Sequence, residues 1–258
     1  MKSLKICLIG YGRMGQMVER VARERGHEIV LRIDKADTNI LDNELIAEAD
    51  VAIEFTTPEA AYTNCHRALE RGVAVVSGTT AWTDGVAQLQ ELCSHNKTMS
   101  FLWSSNFSLG VNLFWELNRQ AARLMQSISG YRLSIEEIHH THKLDAPSGT
   151  AITLAETVLS ERADLSSWSP FCGEDEVKKG ILPIKSIRKG EVAGIHRLAY
   201  TSSVDKITLE HEAFSREGFA LGAVVAAEYA STHYGAHRMQ DVMDYLCSST
   251  TQDNKQNT

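Results

Sequence analysis

The amino-acid sequence predicts an α/β fold in two domains, the first built on a parallel sheet and the second an α+β domain with a mixed or antiparallel sheet. Over about the first hundred residues, short apolar strands alternate with amphipathic helices, which is typical of βαβ units. After about Asn106 the alternation stops and strands follow one another more closely. A chain of 258 residues can hold one large domain or two smaller ones.

Short apolar segments between turn-forming residues predict the strands of the first domain. These segments are Lys5–Ile9, Glu28–Ile33, 51–55, 73–77 and 99–103. A first helix is predicted from about Met14, where apolar residues recur three and four positions apart. A second helix is predicted from Pro58 to about Arg71, with Thr57 as its N-cap, and a third over Thr83–His95.

The second half of the chain is predicted to be richer in consecutive strands. Helices are expected over 110–128, 149–162 and 219–232, and strands over 131–139, 183–188, 195–201 and 205–213. The segment 164–180 has turn-forming residues and no periodicity, which predicts a loop. The polar tail 248–258 is expected to be frayed.

Composition and charge exclude several classes of protein. The chain is 43% hydrophobic and carries a net charge of −7, which is typical of a globular protein and argues against a general nucleic-acid binder. No apolar run approaches the roughly 20 residues of a membrane span, and the N-terminus does not read as a signal peptide. An odd, scattered set of cysteines favours free thiols and a cytoplasmic location: Cys7, Cys65, Cys93, Cys172 and Cys247.

A glycine-rich turn lies between the first predicted strand and the first helix. Its residues Gly10, Tyr11, Gly12, Arg13, Met14 and Gly15 match the pattern G-x-G-x-x-G. In such a turn, glycines permit the tight bend and the approach of a pyrophosphate, and the amides of the helix N-terminus face the phosphates. This context indicates a Rossmann-like dinucleotide-binding domain; the alternative is a glycine-rich turn that binds nothing.

An acidic residue follows the second predicted strand at the spacing that this interpretation requires. Asp34 is placed to accept hydrogen bonds from the ribose hydroxyls of a bound dinucleotide. Asp34 would repel the 2′-phosphate of NADP, whereas Lys35 or Arg13 would attract it, so the pair is compatible with NADH or NADPH. The alternative is that Lys35 is simply a solvated lysine.

Two further loops follow predicted parallel strands, where the nicotinamide half of a dinucleotide rests. They consist of Gly78, Thr79 and Thr80, and of Ser104, Ser105, Asn106 and Phe107. Each loop alone is also compatible with an ordinary turn, so its interpretation depends on its position at a strand end.

A cluster of basic residues marks the second half of the chain. His139, His140 and His142 lie close together near a strand end, and on a continued strand His140 and His142 would share one face. Lys143 adds positive charge, and the amides of Gly149 and Thr150 at a predicted helix start are available to a carboxylate. Together these residues predict a pocket for a small dianion beside a proton donor.

Two other interpretations of this cluster stay open from the residues alone. Three histidines are compatible with zinc, but no further ligand stands at a recognisable spacing, so no metal is expected. The cluster is also compatible with a core or surface group that has no chemical role.

Residues 137–151 read E-I-H-H-T-H-K-L-D-A-P-S-G-T-A, which resembles the signature E-x-H-H-x-x-K-x-D-x-P-S-G-T-A of the dihydrodipicolinate reductase (4-hydroxy-tetrahydrodipicolinate reductase) family. The resemblance extends over most of the chain, through G-R-M-G at 12–15, F-T-T-P-E at 55–59, G-T-T at 78–80 and N-F-S-L-G-V-N at 106–112. It continues with R-K-G at 188–190, G-I-H at 194–196 and F-A-L-G-A at 219–223. The glycine loop is one residue shorter than in many members, and Arg197 stands where threonine is common.

The resemblance implies the NADPH- or NADH-dependent reduction of a cyclic imine dicarboxylate to tetrahydrodipicolinate, in diaminopimelate and lysine biosynthesis. It implies His139 as the general acid, Lys143 as an assisting cation and His140, Gly149 and Thr150 as substrate-binding residues. It also implies a homotetramer built through the second domain, over 107–216, with 1–106 and 217–258 forming the dinucleotide-binding domain. Two rivals share the glycine turn: another two-domain nicotinamide dehydrogenase of aspartate-derived metabolites, and a non-catalytic NAD(P)H-binding regulator.

Overall fold

The computed structural model describes residues 2–35, 41, 44–171 and 178–253. The chain divides into two compact units, of which unit 1 comprises Met1–Leu109 and Glu217–Thr258 and unit 2 comprises Gly110–Arg216. The elements in chain order are β1 (Lys5–Ile9), α1 (Arg13–Glu24), β2 (Glu28–Ile33), a short 3-10 helix (Glu44–Glu48), β3 (Val51–Glu54), α2 (Pro58–Glu70), β4 (Ala74–Ser77), α3 (Thr83–His95), β5 (Ser100–Trp103), α4 (Leu109–Met125), β6 (Arg132–His139), α5 (Gly149–Glu161), β7 (Ser167–Pro170), β8 (Ile181–Arg188), β9 (Gly194–Thr201), β10 (Lys206–Ala213), α6 (Glu217–Ala230), β11 (Gly235–His237) and α7 (Met239–Asp253).

Unit 1 contains a six-stranded sheet in the order β11-β5-β4-β3-β1-β2. All of its strand pairs are parallel, as the alternation of strands and helices predicts. The chain order reverses between β2-β1 and β1-β3, and ligands of open α/β sheets bind beyond the carboxyl ends of the strands at such a point. The turn after β1, where the sequence places its glycine-rich dinucleotide-binding residues, therefore lies at this point of the sheet.

Hydrophobic cores cover both faces of this sheet. On one face α1 and α6 pack with side chains such as Leu8, Val18 and Val224, and on the other α2 and α3 pack with Ile9, Cys65 and Leu89. The strands β3 and β4 are buried along their whole length, since both of their faces are covered by helices.

Unit 2 contains a five-stranded mixed sheet in the order β10-β9-β6-β8-β7. The strand β9 is antiparallel to β6 and β10, whereas β8 is parallel to β6 and β7. Helices α4 and α5 contribute Phe114 and Leu154 to the core that covers one face. Along β6, buried residues alternate with more exposed ones and end at the buried His139, so β6 carries its functional side chain on the core face.

The predicted elements are confirmed with shifts of at most three residues at their ends. The structure adds the 3-10 helix, β11 and α7, which were not predicted, and it differs from the prediction over 164–180 and in the tail. The predicted loop over 164–180 contains the edge strand β7, which the short polar sequence Ser-Trp-Ser-Pro does not signal; 172–177 lie outside the described residues. The strand β11 is only three residues long and has no alternation to predict it. The tail 248–258, which was expected to be frayed, continues α7 as far as Asp253, and 254–258 lie outside the described residues.

Within the described residues, none of the helices is both long enough and apolar enough to cross a membrane.

A close contact between α6 and the loop after β5 leaves no room for a side chain at Gly222. A Cβ atom built there would lie 1.6 Å from the carbonyl oxygen of Phe107. Near the start of the same helix, a Cβ atom at Gly218 would lie 3.6 Å from the nearest atom, the hydroxyl of Ser108, which is an ordinary contact.

We expect Gly222→Ala to lower the free energy of unfolding by about 1–3 kcal/mol, because backbone must move to admit the methyl group. The matched control Gly218→Ala should leave stability unchanged or slightly raised, since alanine favours the helix. Urea unfolding of both variants and the parent measures this. Equal midpoints for the two variants would contradict the close contact.

Candidate active site

The glycine turn of unit 1 joins β1 to α1 and is held against its neighbours. Gly10 has φ +91°, and a Cβ atom there would lie 2.1 Å from the carbonyl oxygen of Phe55. A Cβ atom at Gly15 would lie 2.3 Å from the carbonyl oxygen of Gly10, so this glycine permits the helix to pack on the turn. At Gly12 nothing lies within 4 Å of the Cβ position, and the space there is open to a ligand.

The other residues of the turn have different surroundings. Tyr11 donates a hydrogen bond from its hydroxyl to Glu19 at 2.6 Å, and the guanidinium of Arg32 lies 5.5 Å from the centre of its ring. Arg13 is exposed at the first position of α1, where amides have no acceptor within the helix. Met14 is partly buried and packs against the core.

Asp34 and Lys35 are both exposed directly after β2. The carboxylate of Asp34 accepts a hydrogen bond from the amide of Lys35 at 2.9 Å. The amide of Gly10 donates to the carbonyl of Ile33 at 2.8 Å, so the end of β2 is tied to the glycine turn. The structure therefore brings the acidic residue and the turn to the same edge of the sheet.

A buried carboxylate organises the loops after β3 and β4. Glu54, the last residue of β3, is fully buried and accepts from the hydroxyl of Thr79 at 2.7 Å and from the amide of Thr56 at 2.8 Å. The hydroxyl of Ser77 also donates to it. The predicted loop residue Thr79 is thus a buried anchor, whereas Thr80 is exposed. Gly78 has no room for a side chain, because a Cβ atom would lie 2.0 Å from the ring of Phe55.

The loop after β5 lies beside the loop after β4. The amide of Ser104 donates to the carbonyl of Ser77 at 3.3 Å, and the hydroxyl of Ser104 donates to the carbonyl of Asn106 at 2.9 Å. Ser105 is exposed, whereas Phe107 is buried against Phe55 with ring centres 6.1 Å apart. Four loops, after β1, β2, β4 and β5, therefore meet at the carboxyl edge of the sheet, with Phe107 serving the core.

In unit 2, a carboxylate and an imidazole are buried side by side on the core face of β6. Glu137 and His139 are two residues apart on this strand, and Nδ1 of His139 is hydrogen-bonded to the carboxylate of Glu137. Arg188 on the neighbouring strand β8 donates to the other carboxylate oxygen at 2.9 Å. Burial alone would raise the pKa of Glu137, but hydrogen bonds from His139, Ser186 and Arg188 hold that pKa at about 2. The carboxylate is therefore ionised at neutral pH.

A second buried histidine connects this pair to α5. His196 on β9 lies edge-to-face with His139, with ring centres 5.0 Å apart. Its Nε2 atom is hydrogen-bonded to the hydroxyl of Ser148 at 3.1 Å, and Ser148 is the N-cap of α5, accepting from the amide of Ala151 at 3.3 Å. Burial, and less strongly His139, lower the pKa of His196 to about 3, so this ring is neutral at neutral pH.

The anion-binding residues predicted at the start of α5 are well placed. Gly149 and Thr150 are the first two residues of the helix, and a side chain at Gly149 would meet nothing within 4 Å. Their amides are available to a carboxylate, because the first amides of a helix have no acceptor within it. The contact from Ser148 through His196 to His139 places this helix start in the same cluster.

The strand β6 ends at His139, as predicted. The arrangement in which His140 and His142 share a face of a continued strand therefore does not arise; they lie on the turn that follows, with ring centres 6.2 Å apart. His142 is largely exposed and faces Glu191 at 3.7 Å. Lys143 is about one quarter exposed, and its ammonium lies 2.8 Å from the carboxylate of Asp145. A substrate anion can compete with Asp145 for this ammonium.

Among the described residues, the histidine, cysteine and acidic groups close enough to share a metal ion are Glu137, His139 and His196, whose ligand atoms lie within 4.8 Å of one another. His140 and His142 are not among them. The carboxylate of Glu137 is already neutralised by Arg188 and bonded to His139, so the donors present favour proton chemistry.

Two family models match nearly the whole chain. The N-terminal model of dihydrodipicolinate reductase matches residues 4–107, and the C-terminal model of the same enzyme matches residues 110–243. A 4-hydroxy-tetrahydrodipicolinate reductase of Christiangramia forsetii is 46% identical over 243 residues, which are 94% of this chain and 99% of the relative. A reductase of the same name from Archaeoglobus fulgidus is 35% identical over 253 residues, 90% of this chain and 96% of its own length.

A solved structure shares the fold. The dipicolinate-bound dihydrodipicolinate reductase from Paenisporosarcina sp. TG-14 matches with a TM-score of 0.74 at 20% identity, over 92% of this chain and 98% of its own.

The sequence interpretation did not assign roles to several residues that the structure brings to the site. In unit 1 this residue is Glu54, and in unit 2 they are Glu137, Ser148, Arg188, Gly194 and His196. Motifs of the resemblance contain Ser148, Arg188, Gly194 and His196 without assigning them a role, and a local signal was present for the two acids. Glu54 is a charge in an otherwise apolar strand, and Glu137 lies two residues before His139, hence on the same face.

The low pKa of His196 predicts a specific dependence of stability on pH. Because the folded ring titrates near 3 and an unfolded histidine near 6.5, unfolding takes up a proton between these values. The unfolding free energy therefore falls as the pH drops through this window, by up to about 1.4 kcal/mol per pH unit. We expect His196→Gln to reduce this slope between about pH 6.5 and pH 5, measured by urea unfolding. His142→Gln is the exposed control and should keep the parent's slope; parallel curves for all three proteins would refute the buried neutral ring.

Proposed function

The chain belongs to the dihydrodipicolinate reductase family, and from this we propose how its residues divide the work of the reaction. It is an NAD(P)H-dependent oxidoreductase that reduces 4-hydroxy-tetrahydrodipicolinate to tetrahydrodipicolinate in diaminopimelate and lysine biosynthesis. Both halves of the chain match the reductase models. This assignment is therefore preferred to the two alternative functions, another nicotinamide dehydrogenase and a non-catalytic regulator.

We assign binding of the dinucleotide to unit 1. The open space at Gly12 and the amides at the start of α1 suit a pyrophosphate. Exposed Asp34 suits the ribose hydroxyls, while exposed Lys35 and Arg13 suit a 2′-phosphate. The exposed residues after β4 and β5, including Thr80 and Ser105, suit the nicotinamide half. The bound reduced nicotinamide supplies the hydride.

We assign binding of the dicarboxylate and transfer of the proton to unit 2. The amides of Gly149 and Thr150 hold one carboxylate, and Lys143, released from Asp145, faces the negative charge of the ring substrate. His140, on the turn beside them, contributes a further polar contact. The 4-hydroxyl group of the substrate leaves as water, which gives the conjugated cyclic imine that accepts the hydride. His139 delivers a proton from Nε2 to the ring atom that gains negative charge when the hydride arrives.

The observation that carries this assignment is the buried pair of Glu137 and His139. With Nδ1 engaged by an ionised carboxylate, the ring of His139 has a fixed orientation and its Nε2 is the nitrogen left for substrate. A Cβ atom at Gly194 would lie 3.0 Å from this Nε2, so glycine keeps the space beside it clear. A protein that only bound NAD(P)H would have no use for such a proton donor.

We further propose a homotetramer that assembles through the sheet of unit 2, as the resemblance implies. The edge strand β10 and its flanks support this with exposed apolar side chains, namely Val204, Ile207 and Phe214. A cytoplasmic location is supported by free thiols at Cys7, Cys65 and Cys93, whose pKa values burial raises.

We expect His139→Gln to lower kcat by about 10²–10⁴-fold with a smaller change in KM, because glutamine cannot deliver a proton near neutral pH. The measurement is the steady-state oxidation of NADPH with substrate made by a condensing enzyme. His142→Gln is the control, because His142 is exposed and lies outside the buried pair. Turnover of His139→Gln within a few-fold of the parent would remove His139 from the mechanism.

Substitutions of Asp34 and Lys35 should affect the binding of NADH and of NADPH to different extents. Asp34→Ala should weaken NADH more than NADPH, because the carboxylate binds ribose hydroxyls only where no phosphate is attached. Lys35→Ala should weaken NADPH more. Each loss should be about 1–3 kcal/mol, the scale of a hydrogen bond to a charged group. Fluorescence titration of both cofactors measures the effect, and equal losses of both cofactors in each variant would show that this pair does not read the 2′ position.

A further inference from the structure

Arg188 contacts both the buried Glu137, which binds His139, and the turn that carries Lys143. It is the last residue of β8 and pairs in register with His139 on β6. From one guanidinium it donates to the carboxylate of Glu137 at 2.9 Å, to the carbonyl of Lys143 at 3.3 Å and to the carbonyl of Asp145 at 2.5 Å. No role for this arginine follows from the proposed function.

The contact between Arg188 and Glu137 affects the orientation of His139. Glu137 has no exposed surface, and an isolated carboxylate at such a place is costly to bury. Arg188 supplies the compensating charge on one oxygen, which leaves the other oxygen to accept the Nδ1 proton of His139. Loss of Arg188 therefore changes what faces His139, although the two side chains are not themselves hydrogen-bonded.

The contacts with the carbonyls control the turn that carries Lys143. Leu144, at the tip of this turn, is 98% exposed, so little packing holds the backbone there. The planar guanidinium binds the carbonyls on both sides of Leu144. A lysine could keep the charge beside Glu137 but cannot donate in these fixed directions at once.

Arg188 is less suited to bind the substrate directly. Its donors are engaged by Glu137 and by the carbonyls of Ile187, Lys143 and Asp145. These bonds use four of its five N–H donors. A substrate carboxylate bound through two donors would have to displace at least one of them, and displacing Glu137 would leave its buried carboxylate without a partner.

We propose that Arg188 is a positioning residue that orients His139 through Glu137 and places Lys143 through the main chain of its turn. This inference rests on the roles proposed above for His139 and Lys143. It predicts two separable effects of one substitution, one on proton transfer and one on substrate binding.

The test compares Arg188→Lys in three backgrounds: the parent, His139→Gln and Lys143→Ala. In the parent, kcat should fall at least about tenfold and KM for the ring substrate should rise about threefold or more, because both groups lose their alignment. In His139→Gln, most of the further loss of kcat should disappear while the effect on KM remains. In Lys143→Ala, the effect on KM should disappear while the loss of kcat remains.

The control is Arg162→Lys, an arginine of unit 2 that is more deeply buried than Arg188 and is paired with Asp164. It should leave kcat and KM unchanged, and its thermal unfolding midpoint sets the change expected from the substitution alone. Glu137→Gln keeps the shape of the side chain. It tests the effect on proton transfer by His139 without changing Arg188, so its result does not depend on whether the arginine variants fold. Its loss of kcat should also largely disappear in the His139→Gln background.

Unchanged kinetics in Arg188→Lys would overturn the proposal, as would losses that multiply in full in both backgrounds, since these indicate only a structural role. A normal turnover of His139→Gln itself would instead contradict the proposed function. The failure of the inference and the failure of the proposed function therefore give different results.

Discussion

The arrangement of unit 2 depends on one buried carboxylate, that of Glu137. A charge without access to water must be paired and hydrogen-bonded, so Glu137 requires both Arg188 and His139 at their observed positions. The requirement acts in both directions, because the ring of His139 takes its orientation from the same bond. Since β6, β8 and β9 adjoin in the sheet, their register brings Arg188 and His196 to this carboxylate. The sheet therefore fixes where these side chains lie, and the carboxylate of Glu137 fixes how the ring of His139 is oriented.

The same device occurs in unit 1 with different partners. Glu54 is also fully buried near a strand end, and it collects the hydroxyls of Ser77 and Thr79 and the amide of Thr56. These bonds tie together loops that follow two parallel strands. In both units, packing fixes the strands, and a buried acid at a strand end fixes the adjoining loop through hydrogen bonds. Functional residues can therefore lie on loops and still have fixed positions.

The sequence was sufficient for the features that depend on local pattern. The parallel and mixed sheets follow from the spacing of apolar segments, and Gly10 and Gly15 have the close approaches that their motif requires. The partners of the buried acids were not predictable in this way, because Arg188 lies 51 residues from Glu137 and meets it only through strand order. The strand β7 was missed because its short sequence resembles a loop, whereas the end of β6 at His139 was predicted. Met14 and Phe107 belong to predicted ligand loops, yet the side chain of Phe107 lies in the core and that of Met14 packs against it.

The most direct test of the central claim, that Glu137 orients His139, is a proton NMR spectrum of the protein labelled with ¹⁵N-histidine. A charge-assisted bond from Nδ1 to a buried carboxylate strongly deshields its proton and protects it from exchange. The predicted result is a far-downfield proton resonance, attached to a histidine nitrogen, that is lost in both His139→Gln and Glu137→Gln. A parent spectrum without this resonance, or a resonance that persists in Glu137→Gln, would contradict the claim.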